Sequence, residues 1–401
     1  MNSILEEAKA LQDVIVKDRR YIHQNAELGH DLPITVSYVL ERLRKMGYDP
    51  EIISDSAIVA LAGGKRPGKT FLIRADMDAL PIIEETGLEY KSKTQNTHAC
   101  GHDVHTAMLL GAAQLLKNHE DEIEGTVKLM FQPGEEQLSG AKAMIAAGVL
   151  ENPKVDAAAM IHIFSGMPIP SGTLIIPGGG YVSSSADMFH IDIQGKGGHG
   201  GMPQNSVDPL NVAAHIHIAL QEIIAREVPP SSTTILTIGQ MHGGNAANII
   251  PDTAFIEGSV RAFNGAERDL MKTRVVEIAK NTASAFRATA NVEYRMECPS
   301  VKNDPGLYEQ VVKINRKLLG EDNIKGFDAV YPGGKMTGSE DFGYVSEKVP
   351  ALMMVLSGGS PEEGYPYPQH HPKINFNEDV FYIGSAVHAN TAIEWLKAAA
   401  N

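Results

Sequence analysis

Residues 126–163 read TVKLMFQPGEEQLSGAKAMIAAGVLENPKVDAAAMIHI. Positions 126–131 have the apolar content of a strand, 141–147 read as a helix, and 157–163 as a buried strand. Strand, helix and strand in that order predict an α/β sheet covered on both faces. The pattern extends outward in both directions. Upstream, Ser3 and Glu6 have capping-box spacing ahead of Ile4, Ala8, Leu11 and Ile15 at helical intervals. A second helix follows Pro33, with Val36, Val39, Leu40 and Leu43 on one face and Gly47 as its stop signal. Short β-rich runs at 52–53, 57–61 and 71–73 precede a helix over 102–116.

Downstream, the composition shifts at Pro177-Gly178-Gly179-Gly180, which reads as a flexible joint. Beyond it Phe189, Ile191 and Ile193 alternate as in a strand. A helix over 207–225, strands over 233–238 and 254–263, a long helix over 266–288 and a strand over 291–296 follow. That β-α-β-β-α-β order is the signature of a ferredoxin-like module. The remainder is mixed helix and strand, ending in a helix around Trp395. The expected division is 1–182 and 297–401 for a larger domain, with 183–296 inserted into it.

Length and charge bound the function. A chain of 401 residues predicts two or three domains. With 35 Lys plus Arg against 49 Asp plus Glu, the net charge is −14, which argues against binding nucleic acid or an anionic membrane. No apolar run approaches the ~20 residues of a membrane span. The N-terminal stretch has no signal-peptide core. Two cysteines, Cys100 and Cys298, make no disulfide framework. A soluble cytoplasmic protein is expected.

Two nucleotide-binding patterns occur, and neither has the context its chemistry needs. Residues 63–70, GGKRPGKT, fit the phosphate-loop pattern, but Phe71-Leu72-Ile73 follows as a strand where a helix N-terminus should face the phosphates. A polar hairpin between two strands is expected there. Residues 195–200, GKGGHG, fit a dinucleotide fingerprint, yet Met202-Pro203-Gln204-Asn205 separates the glycines from the next helix.

The chemistry is carried by HACGHDVH (98–105), GEE (134–136), MIHI (160–163) and QHHP (369–372), each at or beside a strand end. Open α/β sheets place their sites there. Thiolate, imidazole and carboxylate are ligands of zinc and related divalent ions. Cys100 and His102 sit just before a helix, whose N-terminus favours a thiolate. A lone Cys is usually a small core residue, a lone His a satisfied polar group, and Glu135-Glu136 alone a solvated turn. Together they favour a metal site.

These residues, with RADMDALP, FQPGEE, GGHGGMP, NIIPD and GSEDF, make the chain closely resemble the metal-dependent amidohydrolases. That family includes aminoacylases, hippurate hydrolases and indole-acetyl-amino-acid hydrolases, and is a branch of the larger metallopeptidase family that also holds aminoacylase-one and the glutamate-releasing carboxypeptidases. The resemblance covers nearly the whole chain. It implies a zinc-peptidase-like α/β catalytic domain interrupted by a ferredoxin-like α+β lid. Carried over by position, it makes Cys100, His102, Glu136, His162 and His370 the ligands of two divalent metals (Zn, Mn, Co or Ni), with Cys100 bridging. It makes Glu135 the general base and Asp78 the carboxylate that orients a histidine ligand. His199 becomes an oxyanion stabiliser, and Asn248 and Arg261 hold the substrate, Arg261 by its carboxylate. The chain departs from the family pattern at His370-His371-Pro372, where His371 stays open as the last ligand, and at Gly200-Gly201 and Gln204. The implied reaction is hydrolysis of an N-acyl-L-amino acid, with dipeptidase or carboxypeptidase action as the alternative. A homodimer or higher oligomer could pair through the lid's sheet edge or a helix face.

Overall fold

The computed structural model describes residues 3–330 and 334–400. The chain divides into two compact units, one of Met1–Val182, Val301–Lys335 and Asp341–Asn401, the other of Ser183–Ser300 and Met336–Glu340.

The first unit is built on an eight-stranded mixed sheet. Its order is Glu51–Ser54, Ala57–Gly63, Gly125–Gln132, Lys69–Asp76, Ala157–Ser165, Ala351–Gly359, Leu174–Ile175 and Ile324–Lys325. The four central strands, from Gly125–Gln132 to Ala351–Gly359, run parallel. Every residue of Ala157–Ser165 and Ala351–Gly359 is buried, as near-continuous apolar runs require when helices cover both faces. The α/β expectation holds. Helix His102–Asn118 packs against Phe381–Ala400 and Gln12–Gln24. Gly384 permits the first of these approaches, since a Cβ there would lie 2.1 Å from Met108 Sδ. Ser3 closes the expected capping box over Ile4–Ala10.

One local expectation is corrected. Residues 63–70 do not form a hairpin: Ala57–Gly63 pairs antiparallel with Gly125–Gln132, which in turn pairs parallel with Lys69–Asp76. A strand from far along the chain therefore lies between the two that the loop connects. At the end of the glycine run after Pro177, Gly180–Tyr181 pairs with Lys302–Asn303. Asn303 Nδ2 also donates to the Pro177 carbonyl at 3.0 Å.

The second unit carries a four-stranded antiparallel sheet ordered Ile235–Gly243, Thr253–Arg261, Ala186–Gln194 and Thr289–Cys298. Helices Pro209–Glu222 and Gly265–Ala285 cover it, burying Ile191, Ile193, Ile216, Ile256, Val260 and Val275. Chain order is strand, helix, two strands, helix and strand. The segment Met336–Glu340 returns to this unit, held by bonds from Ser184 to the carbonyls of Met336 and Thr337. No helix among the described residues is long and apolar enough to cross a membrane.

Candidate metal centre

The parallel strands of the first unit end together, and their ends carry the site. Asp76 closes Lys69–Asp76, and Asp78 follows it. Glu135 and Glu136 sit in the turn after Gly125–Gln132. His162 lies near the end of Ala157–Ser165, and His370 in the loop after Ala351–Gly359. Cys100 precedes helix His102–Asn118, of which His102 is the first residue, so only Cys100 lies ahead of it. Gly101 between them has φ +96°, and a Cβ there would lie 2.6 Å from Ile163 Cγ2. Any larger residue would push Cys100 and His102 off the His162 strand.

Within this pocket the ligand atoms of Cys100, His102 and His162 lie within 4.8 Å of one another, as do those of Cys100, Glu136 and His370, and those of His102, Glu135 and Glu136. Cys100 is common to the first two groups. Its Sγ is 3.4 Å from His162 Nε2. Backbone carbonyls fix both buried rings: His102 Nδ1 donates to the Asp78 carbonyl and His162 Nδ1 to that of Ile163, each at 2.8 Å. A carbonyl can only accept, so a proton sits on Nδ1 of each ring, and in its neutral form each ring carries its lone pair on Nε2. His102 Nε2 and Glu136 Oε1 are buried, 3.8 Å apart, with no hydrogen-bond partner among the described residues. Two buried acceptors left facing each other are costly unless a cation or proton lies between them. The residues therefore fit a divalent metal.

The electrostatics agree. Burial alone would lower the His102 pKa, but the carboxylates of Asp76, Glu136 and Asp78 and the bond to Asp78 raise it to about 10. Burial lifts Glu136 to about 7 against the pull of His102, helped by Asp78 and Asp76. Burial, then His105, holds His162 well below the usual imidazole range. Such a cluster, rich in carboxylate and buried or nearly so except at His370, is a cation's environment.

The structure separates the two candidate histidines at 370 and 371. His370 has φ +66°, its N–H bonds the Ala99 carbonyl at 2.8 Å, and its Nε2 comes within 3.6 Å of Glu136 Oε1. His371 instead stacks on Tyr367 at 4.3 Å, its Nδ1 accepting from the Lys373 N–H. Asp78 adjoins His102 and also holds a turn. The nearest partner of His102 Nδ1 is its backbone carbonyl, with carboxylate Oδ1 at 3.5 Å. Asp78 Oδ1 and Oδ2 accept the N–H groups of Glu135 and Glu136 at 3.0 and 3.1 Å. The carboxylate thus holds the Glu135-Glu136 turn.

His199, Asn248 and Arg261 lie in the second unit. His199 is exposed and pairs with Ile249, and the Gly200 N–H donates to the Asn248 carbonyl at 2.9 Å. Arg261 ends its strand with Nη1 donating to Ser339 Oγ at 2.7 Å. Sequence reasoning missed Asp76 and His105, whose ring nitrogen Nδ1 lies 2.6 Å from Asp76 Oδ1. Asp76 lies in the same RADMD run as Asp78, and His105 three residues after His102 on one helix. Both signals stood in motifs already singled out.

Residues 72–394 match the model of peptidase family M20/M25/M40. The IAA-amino acid hydrolase ILR1-like 2 of Arabidopsis thaliana is 38% identical over 98% of this chain and 88% of its own. The hippurate hydrolase of Campylobacter jejuni is 34% identical over 98% of this chain and 100% of its own. Among solved structures, the Bacillus subtilis YXEP protein, described as a dinuclear metal binding peptidase from M20 family, superposes with TM-score 0.81. It is 29% identical and covers 97% of this chain and 99% of its own.

Proposed function

Since the chain belongs to peptidase family M20/M25/M40, we propose that it hydrolyses the amide bond of N-acyl amino acids, releasing a carboxylate and a free amino acid. The observation that carries this reading is the buried, unpartnered pair His102 Nε2 and Glu136 Oε1, gathered with Cys100, His162 and His370 beside a further carboxylate, Glu135. A site that only held metal for structure would need no such neighbour. The names of the relatives support the substrate class, since hippurate is itself an N-acyl amino acid.

Cys100, His102, Glu136, His162 and His370 would hold two divalent ions, with Cys100 shared; zinc, manganese, cobalt or nickel suits this mixture of donors. Bound metal supplies Lewis-acid polarisation of the amide carbonyl and a lower pKa for water. The chain's own residues would do the rest. Glu135 takes a proton from the attacking water as its oxygen bonds the carbonyl carbon, then delivers that proton to the amine nitrogen as the C–N bond breaks. The Gly201 N–H donates to His199 Nδ1 at 2.9 Å, which leaves the proton of a neutral ring on Nε2, the form that donates to an oxyanion. Arg261 would bind the free carboxylate bidentately, with Asn248 beside the substrate. Cys100 and Cys298 are buried and form no disulfide among the described residues, which fits a reducing, cytoplasmic setting.

The test measures amino acid released from N-acetyl-methionine, hippurate and a dipeptide, with and without chelator. Chelator-sensitive release from the acylated substrates is expected. Release from the dipeptide alone would make the chain a peptidase. Glu135→Gln should lower turnover by ~10²–10⁴ at unchanged metal content. Loss of metal in that variant but not in Glu136→Gln would exchange the two roles.

A further inference from the structure

A buried hydrogen-bond chain that takes no part in the reaction just described runs behind the site. Arg74 Nη1 donates to Asp76 Oδ2 at 2.6 Å, and both side chains are fully buried. Asp76 Oδ1 faces His105 Nδ1 at 2.6 Å. On the far side of that ring, the Ile163 N–H donates to His105 Nε2 at 2.8 Å. A backbone N–H can only donate, so the His105 proton sits on Nδ1 and is given to Asp76. The carbonyl of the same residue, in the next peptide unit, accepts both His162 Nδ1 at 2.8 Å and Gln369 Nε2 at 2.9 Å. His162 is thereby left with Nε2 toward Cys100, and the residue next to His370 is tied to the His162 strand.

We propose that Asp76 and His105 are positioning residues for the metal centre: they lock the backbone at Ile163 by its N–H, and through its neighbouring carbonyl the tautomer and aim of His162 and the seat of the His370 loop. The inference rests on the metal-site reading above. Both nitrogens of His105 are engaged, Nδ1 with Asp76 and Nε2 with the Ile163 N–H, so it has no lone pair to offer a metal and acts through the backbone. The rings of His105 and His162 also meet edge to face at 4.5 Å, so moving one displaces the other. A buried histidine kept only for packing would serve stability and nothing else.

The experiment is chelator competition for zinc on the full chain, with cobalt-substituted protein followed by its thiolate-to-metal absorption. The variants are His105→Phe, which keeps a ring and loses both bonds, His105→Gln, which can restore an acceptor for the Ile163 N–H, and Gln369→Ala on the half-exposed loop. Removing a partner that orients a metal-binding histidine typically weakens metal affinity 10–100-fold. A loss of that size for one of the two equivalents is expected in His105→Phe and Gln369→Ala, with the cobalt–thiolate band shifted and the loss partly reversed in His105→Gln. Wild-type affinity for both equivalents in the two disruptive variants would overturn the proposal, even with a lowered melting temperature. If His105→Phe does not fold, Asp76→Asn, which removes the charged acceptor of His105 Nδ1, decides in its place by the same criterion. Wild-type protein that takes up no divalent ion would overturn the metal-site reading itself, and this proposal with it.

Discussion

Asp78→Asn separates two jobs that one residue could do. Its carboxylate accepts the Glu135 and Glu136 N–H groups at 3.0 and 3.1 Å, whereas its backbone carbonyl holds His102 Nδ1 at 2.8 Å. An amide keeps one acceptor oxygen and turns a donor toward the second N–H, so one bond to a charged acceptor is lost in a buried turn. Such a bond contributes about 1.5–3 kcal/mol. If that energy positions Glu135 for proton transfer, its loss corresponds to a fall in kcat of roughly ten- to a hundredfold, at about 1.4 kcal/mol per decade. The main-chain carbonyl survives the substitution, so His102 should retain its orientation and its metal. The assay is kcat on hippurate at saturating metal, beside metal content per chain by elemental analysis. A variant that loses metal, and regains wild-type kcat once metal is resupplied, would refute the reasoning. The operative contact would then be the 3.5 Å approach of the carboxylate to His102 Nδ1.

Three further outcomes are expected. His370→Ala should empty part of the metal centre and His371→Ala should not, because His371 is stacked on Tyr367 and bonded to Lys373; elemental analysis of both variants checks this. If Arg261 binds the substrate carboxylate, an amidated substrate and Arg261→Ala should each lower kcat/KM by about ten- to a hundredfold, and the two losses should not add. Additive losses in that cycle would place the carboxylate elsewhere. His388 is buried with neither ring nitrogen partnered among the described residues, and burial, then His105, pushes its pKa down to about 3. The unfolded chain binds its proton from about pH 6.5, so stability is full above that value and declines as pH falls toward 3. His388→Phe should flatten that decline in urea midpoints measured across the window; an unchanged slope would show that another group carries it.

The parts of the sequence that could be read directly are those whose meaning is local. The runs at 71–73, 126–131 and 157–163 announce themselves because strands buried on both faces admit almost nothing but apolar residues. The ligand candidates are legible for a related reason: polar, metal-binding side chains at the ends of such runs have no packing purpose. Pairing is another matter. The expected hairpin at 63–70 failed because Gly125–Gln132, more than fifty residues on, pairs with both of its arms. Roles within the site fail to show for the same reason. Asp78 reads as a histidine's partner in sequence, and its carboxylate, 3.5 Å from His102 Nδ1, also holds a turn 57 and 58 residues away. His105 reads as one more histidine in HACGHDVH, yet its two nitrogens join Asp76, 29 residues before it, to Ile163, 58 residues after. Residue type says which atoms can ligate, whereas ring orientation decides which ones do. That orientation is fixed here by carbonyls at positions 78 and 163, whose backbone oxygens no side-chain pattern can advertise. Substitutions that spare every ligand but shift either peptide should therefore damage the centre as surely as replacing a ligand.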